Sequence, residues 1–267
     1  MIRSIVIATI AVTPAMAQDL DAPVADTPTT MSTQSAGGPA IGFTLRGGVS
    51  STPEYFGSGS NEASADLGFD LNYFQFGRLR FGDPDPLFEP EGFGIGGSLR
   101  FIGERDDSDS PELDGLDDVD ASLELGVSLS YAQPSYRVFG AVRYGVVGHE
   151  AFVGEVGMDA FVRPTDRLTL RLGPRALFGE EKYVEEYFGV DDGESAASDF
   201  DAFDPDGGLV STGVEVGAGY RFSDDWGLDA AVRYDRLRSD ASDSPISEDD
   251  ESISARIGVT RRFTFGF

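Results

Sequence analysis

His149 is the only histidine in the 267 residues, and cysteine is absent. The lack of cysteine excludes disulfides, thiolate metal centres and thiol nucleophiles. A lone histidine could act as the base of a Ser–His hydrolase working on membrane lipid. It stands, however, in the tight turn Gly148–His149–Glu150, with no serine at a matched strand position. It therefore reads as a turn-stabilising residue, and no catalytic residue is assigned. Carboxylates are the next candidates: eight lie in 104–118, eleven in 180–206 and six in 240–251. Hard cations such as Ca²⁺ and Mg²⁺ take such oxygens. No Asp-x-Asp-x-Asp-Gly loop with a glutamate twelve residues on is present, and Asp191–Asp192–Gly193–Glu194 is too short to specify a site. These acids read as a solvated loop surface, with weak divalent bridging to lipopolysaccharide phosphates left open; no metal or cofactor is assigned. A net charge of -27 excludes a nucleic-acid partner, which needs a basic surface.

The elements that carry these residues alternate with period two. In 119–131, Val119, Ala121, Leu123, Leu125, Val127, Leu129 and Tyr131 share one face, and Asp120, Ser122, Glu124, Gly126, Ser128 and Ser130 share the other. That is strand alternation. It returns in 136–148, 152–162, 168–172, 210–222 and 226–234, with earlier strands expected at 41–50, 62–82 and 92–103. Most of these runs exceed the five or six residues usual in soluble sheets. Tyr131, Tyr136, Tyr220, Phe222 and Trp226 gather at strand ends, and short turns alternate with long polar loops. Both traits belong to a transmembrane β-barrel. Phe263, Phe265 and Phe267 alternate to the terminus, resembling the signal read by the bacterial barrel-assembly machinery.

The expected organisation is a signal peptide at 1–17, cut after Ala15–Met16–Ala17, a flexible periplasmic lead-in at 18–39, and a single antiparallel outer-membrane barrel at 40–267 of a Gram-negative cell. Outer-membrane lipid and lipopolysaccharide would surround it. If the long loops share the extracellular side, parity gives ten strands; a hairpin around Asn72–Gln75 would make eleven, or twelve with a further strand upstream. Strict alternation puts Arg261 on the lipid face, at a cost of about 2–4 kcal/mol near the midplane, so a bulge is expected near Thr260–Arg262.

The opposite face holds Glu124, Arg137, Arg143, Glu155, Asp159, Arg167, Arg171, Arg175, Glu215, Asp229 and Arg233. Neighbouring strands thereby set an arginine ladder (167, 171, 175) between acids. Inside a barrel these groups would form bidentate ion pairs, and a bore of about eight strands has just enough room for side chains. The lumen reads as closed by its own charges; a narrow cation-preferring pore lined by the same residues is the alternative.

Several segments resemble the MipA/OmpV family of outer-membrane proteins. Pro53–Glu54–Tyr55–Phe56–Gly57–Ser58 resembles its Pro-x-Tyr-x-Gly-Ser loop, and Gly148–His149–Glu150 its Gly-His-acid turn. Tyr183 with Tyr187–Phe188–Gly189–Val190 is similar to Tyr-x3-Tyr-Phe-Gly-Val, and Asp240–Ala241–Ser242–Asp243–Ser244–Pro245–Ile246 to Asp-Ala-x-Asp-Ser-Pro-Ile/Val. Ser198–Asp199–Phe200–Asp201–Ala202–Phe203 departs from the family's Ser-Gly-Leu-x-x-Tyr. The resemblance implies a non-enzymatic scaffold that links a murein lytic transglycosylase and a murein synthase to the outer membrane.

Overall fold

The computed structural model describes residues 38–77, 79–82, 92–105 and 113–267. The expected signal peptide and nearly all of the lead-in lie outside the described residues. Eleven strands form one antiparallel sheet: β1 (Ala40–Pro53), β2 (Asn61–Phe76), β3 (Leu79–Gly82), β4 (Gly92–Ile102), β5 (Ser122–Gln133), β6 (Tyr136–Val147), β7 (Phe152–Thr165), β8 (Leu168–Gly179), β9 (Gly208–Arg221), β10 (Trp226–Leu237) and β11 (Glu251–Gly266). Three short helices lie in the long loops: α1 (Glu181–Phe188), α2 (Asp192–Ala197) and α3 (Asp240–Asp243).

Ten of the strands run 11 to 16 residues, and these are the ten crossings the parity argument expects. The eleventh, β3, has four residues and folds back from the end of β2 through Gly77, not through the 72–75 segment. The sheet runs β3-β2-β1-β11-β10-β9-β8-β7-β6-β5-β4. Among the described residues its two edges, β2 with β3 and β4, are not joined by a ladder.

The burial pattern is inverted relative to a soluble sandwich. Val127, Leu129, Val142, Val156, Val162, Leu172, Val216 and Val232 are exposed, while Glu124, Arg143, Glu155, Asp159, Arg175 and Glu215 are buried. Such a surface is stable only where apolar side chains meet lipid and polar ones meet each other. Aromatics belt both rims. Tyr144 and Phe152 stand 4.9 Å apart at the long-loop end, and Phe93 and Tyr131 also 4.9 Å apart at the short-turn end. Phe265 on the last strand and Phe267 just beyond it are exposed, and Phe263 stacks on Phe43 at 5.2 Å.

The bulge expected near Thr260–Arg262 is absent. β11 keeps unbroken register there against both β1 and β10. Arg261 does face outward, but at the short-turn rim. Its guanidinium lies 4.8 Å from the rings of both Trp226 and Phe263. An arginine at the interface, resting on aromatic faces, escapes most of the midplane cost. The register shifts that do occur lie elsewhere, between Gly42 and Phe43, Leu123 and Glu124, Val162 and Thr165, and Leu177 and Phe178.

Candidate functional site

Alternation places one charged side chain on the inner face at every second or fourth residue, and adjacent strands bring opposite signs together. Arg100 meets Glu124 (2.9 Å), whose other oxygen accepts from Arg143 (2.9 Å), which continues to Glu155 (3.0 Å). Arg137 meets Asp159 (2.8 Å), which also pairs with Arg175. Arg171 lies between Glu215 (3.2 Å) and Asp229 (2.9 Å), and Asp229 also takes Arg256. Arg46 pairs with Asp66 at 2.7 Å. Arg233 pairs with Asp235 and approaches Glu155 at 3.6 Å. That last approach joins β10 to β7, which are separated in the sheet by β9 and β8, so it reaches across the bore.

Arg167 does not join this network. It is exposed in the turn before β8, which begins one residue later. The ladder therefore has two rungs, Arg171 and Arg175. Conversely, Arg46, Asp66, Arg100 and Arg256 belong to the bore although the inward face of their strands went unread. Their signal was available: each stands between residues of smaller or apolar type in the period-two pattern, as Leu99–Arg100–Phe101 and Ala255–Arg256–Ile257.

The long-loop end is filled by the motif segments. In α1, Tyr183, Val184, Tyr187 and Phe188 fall on one face because they are spaced i, i+1, i+4 and i+5. All four are buried, together with Ala151, Val153, Val210 and Ala241. Phe56 closes on them, its ring 5.1 Å from that of Tyr187. A second apolar group joins Tyr55, Leu113, Leu116, Val190 and Ile246. Hydrogen bonds sew the segments together. The Ser244 hydroxyl donates to the Phe188 carbonyl (2.6 Å), Asp206 N–H donates to Asp240 (2.7 Å), and Asp249 N–H donates to the Gly57 carbonyl (3.0 Å). Gly57 has φ +88°, and a Cβ there would stand 2.7 Å from the Ser247 hydroxyl. Ser58 is buried, Pro53 and Pro245 are half-buried, and Asp243 is exposed. Gly189 ends α1, donating to the Glu185 carbonyl at 2.8 Å.

His149 joins this plug to the bore. Its Nδ1 accepts from the Ala151 N–H (3.1 Å), so its Nε2 carries the proton and donates to Glu124 Oε1 (3.2 Å). The ring meets Tyr183 edge-on at 5.1 Å. The Tyr183 hydroxyl accepts from Arg100 (2.6 Å), and the Tyr187 hydroxyl donates to Ser122 (3.0 Å). Burial pushes the Tyr183 phenol up to about 12, and burial likewise raises that of Tyr187. Ser122 accepts from the His149 backbone N–H (3.1 Å), with no contact to the imidazole that would make it a nucleophile. The arrangement can fix a plug and neutralise charge; it contains no activated nucleophile pair.

The sheet, with ion pairs on its inner face and packed loop segments at one end, resembles known proteins. A family model described as MltA-interacting protein MipA matches residues 45–263, from within the first strand to within the last. The chain belongs to the MipA family. MltA-interacting proteins of Escherichia coli K12 and Shigella flexneri are each 30% identical over 161 residues, spanning 59% of this chain and 63% of theirs. Among solved structures, an outer membrane channel of Pseudomonas putida F1 aligns with a TM-score of 0.43 at 11% identity, over 89% of this chain and all of that one (100%). OprG of Pseudomonas aeruginosa aligns with a TM-score of 0.31 at 12% identity, over 85% and 98%. Within the MipA-family match lie both the plug motifs and every bore pair named above, from Arg46 to Arg256.

Proposed function

We propose that this protein is a closed, non-enzymatic outer-membrane barrel that serves as an envelope scaffold. Its long loops would face outward and its short turns the periplasm, where they would meet murein enzymes. The observation that carries this reading is the bore. Buried arginines and carboxylates pair along it, with Arg233 of β10 approaching Glu155 of β7 at 3.6 Å, and the motif segments pack at its long-loop end. A barrel so filled has only its rims left for function. The relatives' name supports an MltA-type partner, and the family resemblance adds a murein synthase. Phe263 and Phe265 on the final strand, with Phe267 just beyond it, are proposed as the assembly signal. The test is crosslinking in living envelopes followed by purification. Enrichment of murein hydrolases or synthases is expected, and repeated recovery of none of them would overturn the scaffold.

A second reading, the narrow cation-preferring pore, is favoured by the buried polar atoms that lack hydrogen-bond partners, among them Arg175 Nε and Arg256 Nη2. Water along the bore would satisfy them. Planar-bilayer recording separates the two readings. Silence at moderate salt is expected for the closed barrel, and steady cation-selective steps would give the pore the lead.

A further inference from the structure

Nine ladders lead from β4 through the sheet to β2, and each is antiparallel. An odd number of reversals leaves β4 antiparallel to β2. Of the 16 residues of β2, 73–76 pair with β3, so 61–72 border only β1 among the described residues. The 11 residues of β4 border only β5. Leu67 on β2 and Leu99 on β4 are exposed on the lipid face. A sheet edge in hydrocarbon has no water for its main-chain N–H and C=O groups, and open edges facing lipid do not occur.

Three features select how the two edges meet. Asp66 on β2 and Arg100 on β4 are buried, so both strands turn even-numbered positions inward, and even must oppose even. Glu62, near the start of β2, and Ile102, at the end of β4, line the same cavity of about 150 Å³. At the other end, position 72 is the first clear of the β3 ladder, and β4 begins at Gly92. Pairing Glu62 with Ile102 brings Asn72 opposite Gly92, and all 11 residues of β4 find a partner. The charges agree with this register. The inner-face ion pairs end at the seam with Arg46–Asp66 (2.7 Å) on one side and Arg100–Glu124 (2.9 Å) on the other. Asp66 would oppose Ser98 and lie diagonal to Arg100, within reach of a long side chain.

We propose that β2 and β4 zip together in this register when the protein enters a bilayer. The zip completes a ten-stranded wall, leaves β3 at its short-turn rim, and brings an acid and an arginine together across the seam. Its last pair, Glu62 with Ile102, closes the side of the cavity. The inference rests on the membrane-barrel reading but not on the scaffold role: capture of murein enzymes can fail while the zip forms, and the reverse.

The chain has no cysteine, so an introduced pair reacts without background. Ala65→Cys with Leu99→Cys puts two thiols on the lipid face at directly opposed positions. Such positions hold their Cβ atoms about 4.5–5.5 Å apart, against about 7 Å for a two-residue offset, and only the first is near enough for a disulfide. The full chain is refolded into phosphatidylcholine vesicles and oxidised with copper phenanthroline, and linked peptides are identified by mass spectrometry. An intramolecular disulfide is expected in most molecules. Ala65→Cys with Gly97→Cys, or with Phe101→Cys, should give at least about tenfold less. If the first pair fails to refold, Ala63→Cys with Phe101→Cys tests the same register. No disulfide in a folded, in-register pair would overturn the proposal. Equal yields from the offset pairs would do so too, and a disulfide between two molecules would assign the edges to a second copy instead.

Discussion

Glu124 accepts from three groups at once: Arg100 at 2.9 Å and His149 at 3.2 Å on one oxygen, Arg143 at 2.9 Å on the other. None of the four side chains is more than 2% exposed. Glu124→Gln keeps the shape and removes the charge. Arg143 retains Glu155 at 3.0 Å, but Arg100 keeps only the Tyr183 hydroxyl, and an amide N–H₂ now faces a donor. Removing one partner of a buried pair costs about 3–5 kcal/mol, so a loss of that size is expected. Exposed pairs contribute about 0–1 kcal/mol, so Glu150→Gln should change little, its pair with Lys182 being 49% and 66% exposed. Trp226, the sole tryptophan, lies at the short-turn rim and reports insertion by its fluorescence. Urea-dependent folding into lipid vesicles measures both variants. A loss below about 1 kcal/mol for Glu124→Gln would refute the reasoning, because it would mean that the bore is wet enough to screen its charges.

The remaining predictions are more local. Arg171→Gln should destabilise by about 3–5 kcal/mol while Arg167→Gln stays within about 0.5 kcal/mol; equal effects would return Arg167 to the network. Tyr183 titrates near 12 in the folded chain against an ordinary 10.0. Its raised value means that its contribution is fully present below pH 10 and is lost as pH rises towards 12. Tyrosinate absorbance and loop proteolysis should therefore rise together across that window, and an earlier rise would show the plug to be solvated. Gly57→Ala forces a side chain onto φ +88° beside Ser247 and should cost about 1–3 kcal/mol, read as faster protease cleavage of 53–60. Arg261→Gln should cost no more than about 1 kcal/mol in vesicle-folding experiments, a larger loss pointing to a role beyond its aromatic neighbours.

Much of the barrel was legible because alternation is a local property. Val127 and Glu124 declare their faces from sequence spacing alone, and the same spacing puts Arg137, Arg143 and Glu215, which are buried, on the face of Glu124. Arg46 and Arg100 were harder, since glycines share their strands and leave the polar face without contrast. The turn-bound Arg167 shows the opposite error, a period extended one residue past a strand's start. The packing of the motif segments against one another could not be read from spacing. Tyr55, Val190 and Ile246 meet only because the sheet curves through ten crossings, and the contact between them leaves no trace in local spacing. Eight residues of α1 are also too few for helical periodicity to stand out in a polar loop.

The bore also explains several of the protein's 34 glycines. Gly68 faces the Arg46 guanidinium, where a Cβ would come within 2.9 Å, and Gly258 faces the same side chain at 2.8 Å. Gly217 stands in the same relation to Arg171, and Gly157 to Arg175 at 2.9 Å. Each large cation is accommodated by a missing methyl group on a neighbouring, hydrogen-bonded strand. The volume of the arginines is thus borrowed from their neighbours. Divergence at either position is then constrained by the other: an alanine at 217 displaces Arg171 as surely as a direct replacement, and exposes Glu215 and Asp229 to each other. Relatives that lose such an arginine are free to thicken the wall with alanine or serine. Relatives that thicken the wall first have lost the space for the charge.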